Sequence, residues 1–139
     1  MPEQRRERVF QDRLEAGKAL GAALVAWRAR HPIVLALPRG GVVVGYGVAR
    51  ALAAPLDVYL ARKLGAPMHP ELGMGAIAEG GTQVLDDSIV RLVGATREQI
   101  RRVVEREELE LRRRMALYRG GRALPDLAGQ VVVLVDDGI

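Results

Sequence analysis

The sequence predicts an α/β fold: an open parallel sheet flanked by helices, with a small β-hairpin set into it. Three observations carry this. The runs Ile33-Val34-Leu35-Ala36-Leu37 and Val131-Val132-Val133-Leu134-Val135 have the composition of strands buried on both faces, the condition of a parallel sheet. A helical stretch separates the first run from another strand-like segment, giving a strand-helix-strand unit whose strands pair in parallel. The first run is followed by Pro38-Arg39-Gly40-Gly41 and the last by Asp136-Asp137, and ligands of open α/β sheets bind at the carboxyl ends of strands.

Taken in order, Phe10, Leu14, Leu20, Leu24 and Trp27 recur at helical spacing and predict a helix from Phe10 to Arg30, with Gly17 and Gly21 as its weak points. His31-Pro32 closes it, because a residue before proline avoids the α region. A strand follows over 33–37, then a tight loop, then a helix from Val42 to Ala53 that tolerates Gly45 and Gly47 and stops at Ala54-Pro55. Asp57-Val58-Tyr59-Leu60-Ala61 predicts the second strand, with Arg62-Lys63 at its end. Residues Met74 to Glu79 and Thr82 to Leu85 flank Gly80-Gly81, a hairpin signal. Asp86-Asp87-Ser88 caps a short helix through Val93, and Thr96 opens a long one with Ile100, Val103, Val104, Leu111, Met115 and Tyr118 on its core face. Gly120-Gly121 and Pro125 end that helix ahead of the last strand.

A chain of 139 residues suits one domain, 1–139, with the loop and hairpin at 66–88 inside it and a core of ordinary size. A strand ending in a loop normally leads into a helix, so the sequence is expected to stop within the core, its C-terminal part missing. The formal charge of +4 invites a nucleic-acid reading, but the arginines interleave with glutamates and aromatics make up only 4%, too few for a stacking platform. Nucleic acid is therefore not an expected partner. No apolar run approaches the roughly 18 residues that cross a bilayer, and Met1 to Arg8 lacks a signal-peptide apolar region. The absence of cysteine excludes disulfides, thiolate metal sites and cysteine nucleophiles. A cytoplasmic location is the default expectation.

Three constellations carry candidate chemistry. Pro38-Arg39-Gly40-Gly41 joins a strand to a helix; N–H groups at a helix N-terminus bind anions, and Arg39 adds a guanidinium. An ordinary strand-to-helix turn also favours glycine, but strand context and Arg39 together favour an anion site. The stretch lacks the Gly-Lys-Ser/Thr ending of a P-loop. Gly45-Tyr46-Gly47 lacks the third glycine of a dinucleotide fingerprint and falls inside the predicted helix, where it permits close packing on the sheet. Arg62-Lys63 is expected at the same sheet edge as Arg39; a solvated strand end is the alternative. Asp136-Asp137 is placed to meet a polyhydroxyl ligand or its metal ion, the alternative being a surface turn with an Asp cap. Glu79, beside Gly80-Gly81, is either a further site carboxylate or an exposed hairpin-end residue.

Together these residues resemble the type I phosphoribosyltransferases. Val131 through Ile139 looks like the first half of that family's signature, an apolar strand ending in two acids. Pro38-Arg39-Gly40-Gly41 looks like its pyrophosphate loop in the Arg-Gly-Gly form of bacterial purine enzymes, and Arg62-Lys63 and the hairpin fit its order. The stretch from Phe10 through Arg13 to Gly17 looks like the helix leading into such domains. The resemblance implies transfer of a phosphoribosyl group from phosphoribosyl pyrophosphate to a nitrogenous base, with Mg²⁺. Asp136 and Asp137 would hold the ribose hydroxyls and, through them, the metal. Arg39, Gly40, Gly41, Arg62 and Lys63 would bind pyrophosphate, and Glu79 would sit in the mobile-loop region. It also implies a non-proline cis peptide between Leu37 and Gly40, and a homodimer.

The family's 5′-phosphate loop would follow Ile139, so these 139 residues alone are expected to be inactive. The acceptor base is not legible, with purine favoured only by the Arg-Gly-Gly form. Two rivals stand beside this reading. One is a regulatory or binding protein on the same fold that senses phosphoribosyl pyrophosphate or a nucleotide without turnover. The other is a response-regulator-like module whose Asp pair binds Mg²⁺ alone.

Overall fold

The computed structural model describes residues 8–138; Ile139, at the end of the acidic signature, and the segment 1–7 lie outside the described residues. The chain divides into two compact units, one formed by the part up to Val58 together with the part from Leu127, the other by Tyr59–Asp126.

In the first unit, helix α1 (Arg13–Ala23) leads through a 3-10 turn (Val25–Arg30) to strand β1 (Ile33–Ala36). Helix α2 (Gly40–Leu52) and strand β2 (Leu56–Val58) follow, and β6 (Val132–Val135) returns from the far end of the chain. The strands form a three-stranded sheet in the order β2-β1-β6, parallel throughout, with Ala36 opposite both Val58 and Val135. Every residue of β1 is buried, as expected for the middle strand of a parallel sheet. Val34 and Val135 pack with Val44, Val48, Ala49 and Leu52 of α2, and each fully buried aliphatic side chain contributes roughly 1.5–3 kcal/mol.

The first helix differs from expectation in an instructive way. It spans Arg13–Ala23 instead of running from Phe10 to Arg30, and Phe10, Leu14, Leu20 and Trp27 are all substantially exposed. Its buried face is Gly17 and Gly21, the two positions that helical patterning marks as weak. A Cβ at Gly17 would stand 2.8 Å from the Val44 carbonyl oxygen, and one at Gly21 would stand 3.0 Å from that of Gly47. The glycines let two helix backbones touch. Gly45 packs on the sheet, against Ala36 and Leu56, as the sequence indicates, whereas Gly47 packs on Gly17 of α1.

The second unit contains strands β3 (Ala61–Gly65), β4 (Gly73–Ala78) and β5 (Thr82–Leu85) in an antiparallel sheet of that order, then α3 (Asp87–Val93) and α4 (Arg97–Arg119). The hairpin turns at Gly80 and Gly81, both at positive φ, where glycine carries no steric cost. Asp86 caps α3, accepting from the Ser88 and Ile89 amides. Thr96 and Gln99 form a reciprocal capping box on α4. Leu60, Leu64, Met74 and Ile77 pack with Val103 and Leu111 of α4, joined by Ile100, Val104 and Met115; Tyr118 is more than one-third exposed. Here too the structure departs from expectation. The second predicted strand ends at Val58, and Arg62 and Lys63 lie within β3 instead of in a loop at its end.

Candidate functional site

The C-terminal edge of β1 and β6 gathers the first group of predicted residues. Beyond the Ala36–Val135 pair, the Leu37 amide donates to the Val135 carbonyl at 2.9 Å, so the two chains leave the sheet side by side. One continues through a cis peptide bond between Pro38 and Arg39, inside the interval named for it, and enters α2 at Gly40. The other continues as Asp136-Asp137. The two meet at the glycines: a Cβ on Gly41 would stand 3.2 Å from the Asp136 Cα, and one on Gly40 would overlap the Asp137 carboxylate. Only residues without side chains fit here. Arg39, Gly40, Gly41, Asp136 and Asp137 thus form one cluster.

Its polar groups are available for a ligand. No side chain caps the first N–H groups of α2, which leaves donors and the positive end of the helix dipole beside the loop. Arg39 is exposed, and none of the ion pairs found among the described residues involves it. Asp136 accepts the Asp137 amide on Oδ1 at 2.8 Å. Asp137 accepts from Arg13 on Oδ2, from Nε at 3.1 Å and Nη2 at 2.9 Å. That guanidinium holds the Asp137 carboxyl below its ordinary range. Among the described residues, no cluster of three or more His, Cys, Asp or Glu could hold a metal ion. Two adjacent carboxylates offer acceptors to hydroxyl donors.

Arg62, Lys63 and Glu79 belong to the second unit. Arg62 donates to Glu107 of α4 at 2.9 Å, and Lys63 donates to the Glu71 carbonyl at 3.1 Å. Of the two readings of Glu79, a further site carboxylate or an exposed hairpin-end residue, the second is corrected: Glu79 is only 4% exposed. It is paired with the equally buried Arg119 and accepts the Leu60 amide at 2.8 Å. A buried carboxylate persists when paired and hydrogen-bonded, and its partner comes from the last turn of α4, which no local pattern announces. Arg13 is the site residue that sequence reasoning passed over as a functional group. Its partner lies 124 residues away, and the one available signal was its place in the helix resembling the family's entry segment.

No helix among the described residues is long and apolar enough to cross a membrane. The family described as "Phosphoribosyl transferase domain" matches residues 11–139. Two Mycobacterium tuberculosis proteins, named "Putative phosphoribosyl transferase MT0597" (strain CDC 1551 / Oshkosh) and "Putative phosphoribosyl transferase Rv0571c" (strain ATCC 25618 / H37Rv), are each 44% identical over 132 residues. The match covers 95% of this chain and 30% of each relative, so the chain spans about a third of their length. The crystal structure of TT1426 from Thermus thermophilus superposes with a TM-score of 0.79 at 45% identity, over 94% of this chain and 62% of that one.

Proposed function

Because this chain belongs to the phosphoribosyl transferase family, we propose that the protein it represents transfers a phosphoribosyl group from phosphoribosyl pyrophosphate to a nitrogenous base, releasing pyrophosphate. The observation that carries this is the meeting of Gly40 with the Asp137 carboxylate. It puts a loop of unspent amide donors and a pair of acids at one strand edge. Phosphoribosyl pyrophosphate carries a diphosphate and two ring hydroxyls on one small sugar, so it needs both kinds of group within its own length.

In this reading the Gly40 and Gly41 amides and Arg39 take the diphosphate, while Asp136 and Asp137 accept from the ribose hydroxyls. Arg62 and Lys63 are assigned to the departing pyrophosphate on the family resemblance alone. The transition state is oxocarbenium-like; carboxylates near the ring and cations near the leaving group stabilise the charges that develop. Exclusion of water protects the ribosyl cation from hydrolysis. Mg²⁺, when bound through the ligand oxygens beside Asp136 and Asp137, would neutralise phosphate charge.

The test is calorimetric titration of the full protein with phosphoribosyl pyrophosphate, with and without Mg²⁺, followed by turnover assays against a panel of bases that begins with purines. Saturable, Mg²⁺-dependent binding that disappears in Asp136→Asn/Asp137→Asn is the expected result. Binding unchanged in the double variant would overturn the role of the acids. Binding without turnover on any base would point to a sensor on the same fold.

A further inference from the structure

We infer that Arg13 is a positioning residue for Asp137: its guanidinium pins one carboxylate oxygen against Gly40 and leaves the other for the ligand. This rests on the phosphoribosyl reading and adds to it a residue from the N-terminal helix. Both contacts of the guanidinium fall on the same atom, Oδ2, at 3.1 Å from Nε and 2.9 Å from Nη2. Oδ1 receives no contact from the Arg13 guanidinium. In Asp136 the amide of Asp137 falls on Oδ1. The Arg13 guanidinium thus fixes Asp137 through one oxygen, and the Asp137 amide fixes Asp136 through one of its own.

The contact is built into the packing of α1 on α2. Arg13, Gly17 and Gly21 stand four residues apart on one helix face. Gly17 lies against Val44 and Gly47, and Gly21 against Gly47, Val48 and Ala51, so the two helices advance in the same direction. One turn back from Gly17, the same face brings Arg13 to the start of α2, where a Cβ on Gly40 would stand 2.7 Å from the Arg13 Nε. Asp12 caps the helix at this point by accepting the Glu15 amide at 2.8 Å, which fixes the backbone that carries Arg13. Stability alone is a poor account of the pair. Its side chains are 59% and 32% exposed, and ion pairs at that exposure contribute little to folding. Orientation of a functional carboxylate explains why the guanidinium is delivered here.

The experiment is titration of the full protein with Mg²⁺ and phosphoribosyl pyrophosphate, comparing wild type, Arg13→Gln, Arg13→Lys, Asp137→Asn and the double Arg13→Gln/Asp137→Asn, with circular dichroism as the check on folding. Arg13→Gln is expected to weaken binding roughly tenfold or more, as misplacement of a site group does. Arg13→Lys should recover part of that loss, and Arg13→Gln should cost nothing further in the Asp137→Asn background. Should Arg13→Gln fail to fold, Arg13→Lys gives the same comparison through an intermediate loss. Binding by Arg13→Gln within about twofold of wild type, or an equal loss in the wild-type and Asp137→Asn backgrounds, would overturn the inference while leaving the phosphoribosyl reading intact. No binding by wild type would overturn both.

Discussion

Glu79 and Arg119 face each other across 40 residues of sequence, carboxylate to guanidinium, with both side chains 1% exposed. Glu79 also accepts the Leu60 amide, so one carboxylate ties together the end of β4, the last turn of α4 and the backbone entering β3. Removing one member of such a pair strips the other buried charge of this partner, at a cost of about 3–5 kcal/mol. Glu79→Gln and Arg119→Met are each expected to lose stability on that scale in urea unfolding. The double variant should recover most of it, since the Glu79→Gln amide keeps an acceptor for the Leu60 N–H and no charge remains buried. Additive losses in the double variant would show that the pair is not the source of the effect.

What the sequence disclosed and what it hid divide along a physical line. Valine runs, proline stops and the Gly80-Gly81 turn act within a few residues, and β1, α2, the hairpin and the position of β6 were legible from them; burial of β6 on both faces was not borne out, since Val132 and Leu134 are exposed. The Arg39 loop and the Asp pair were legible too, because parallel strands send both to one edge. Three features depended on distant partners. Nothing in Asp57-Val58-Tyr59-Leu60-Ala61 marks the break after Val58, since its apolar and β-branched residues suit either side of the division; the pattern therefore places Arg62 and Lys63 after β2 and not within β3. Glu79 looked solvated because its partner is at the far end of α4. Gly17 and Gly21 looked like defects because helical patterning counts large apolar residues, whereas this helix buries the absence of side chains.

Two glycines of α2 should respond oppositely to alanine. At Gly40 the new Cβ would displace the Asp137 carboxylate, a partly exposed side chain that can swing away, so stability should change little while binding of phosphoribosyl pyrophosphate is lost. At Gly45 it would stand 2.9 Å from the Ala36 Cβ and 3.3 Å from Leu56 Cδ1, both in the sheet. Overpacking there costs roughly 1–3 kcal/mol, offset in part by the roughly 0.5–1 kcal/mol that alanine gains over glycine within a helix. Thermal unfolding and calorimetric titration of the two variants should therefore rank them in opposite orders.

Gly17→Ala tests the helix contact itself. The added Cβ would stand 2.8 Å from the Val44 carbonyl oxygen and 3.1 Å from its Cα, backbone atoms that yield only if α1 moves. A loss of roughly 1–3 kcal/mol is expected from overpacking, read from denaturant unfolding. The same movement should draw Arg13 off Asp137, so weaker ligand binding should accompany the lost stability. A variant destabilised to this extent but binding normally would separate the glycine contact from the site.

Asp137 should carry the same relationship into its pH behaviour. The hydrogen bonds from Arg13 come first among the causes that hold its carboxyl below the ordinary value of 3.8, with the hydrogen bond linking it to Asp136 adding to them. A carboxyl depressed in the folded state contributes stability that is present above its unfolded value and is lost as pH falls through the folded one. At pH 3.8 the wild-type side chain should therefore remain mostly ionised, and its ¹³C carboxyl resonance should titrate below that point. In Arg13→Gln the midpoint should move up toward 3.8, because the largest cause of the depression is gone. A resonance that titrates identically in both proteins would mean that Arg13 does not hold this carboxylate in solution. Binding of phosphoribosyl pyrophosphate gives an independent reading of the same shift. Its acid limb should rise in the variant by the amount that the carboxyl midpoint rises, if an ionised Asp137 accepts the ligand hydroxyl as proposed.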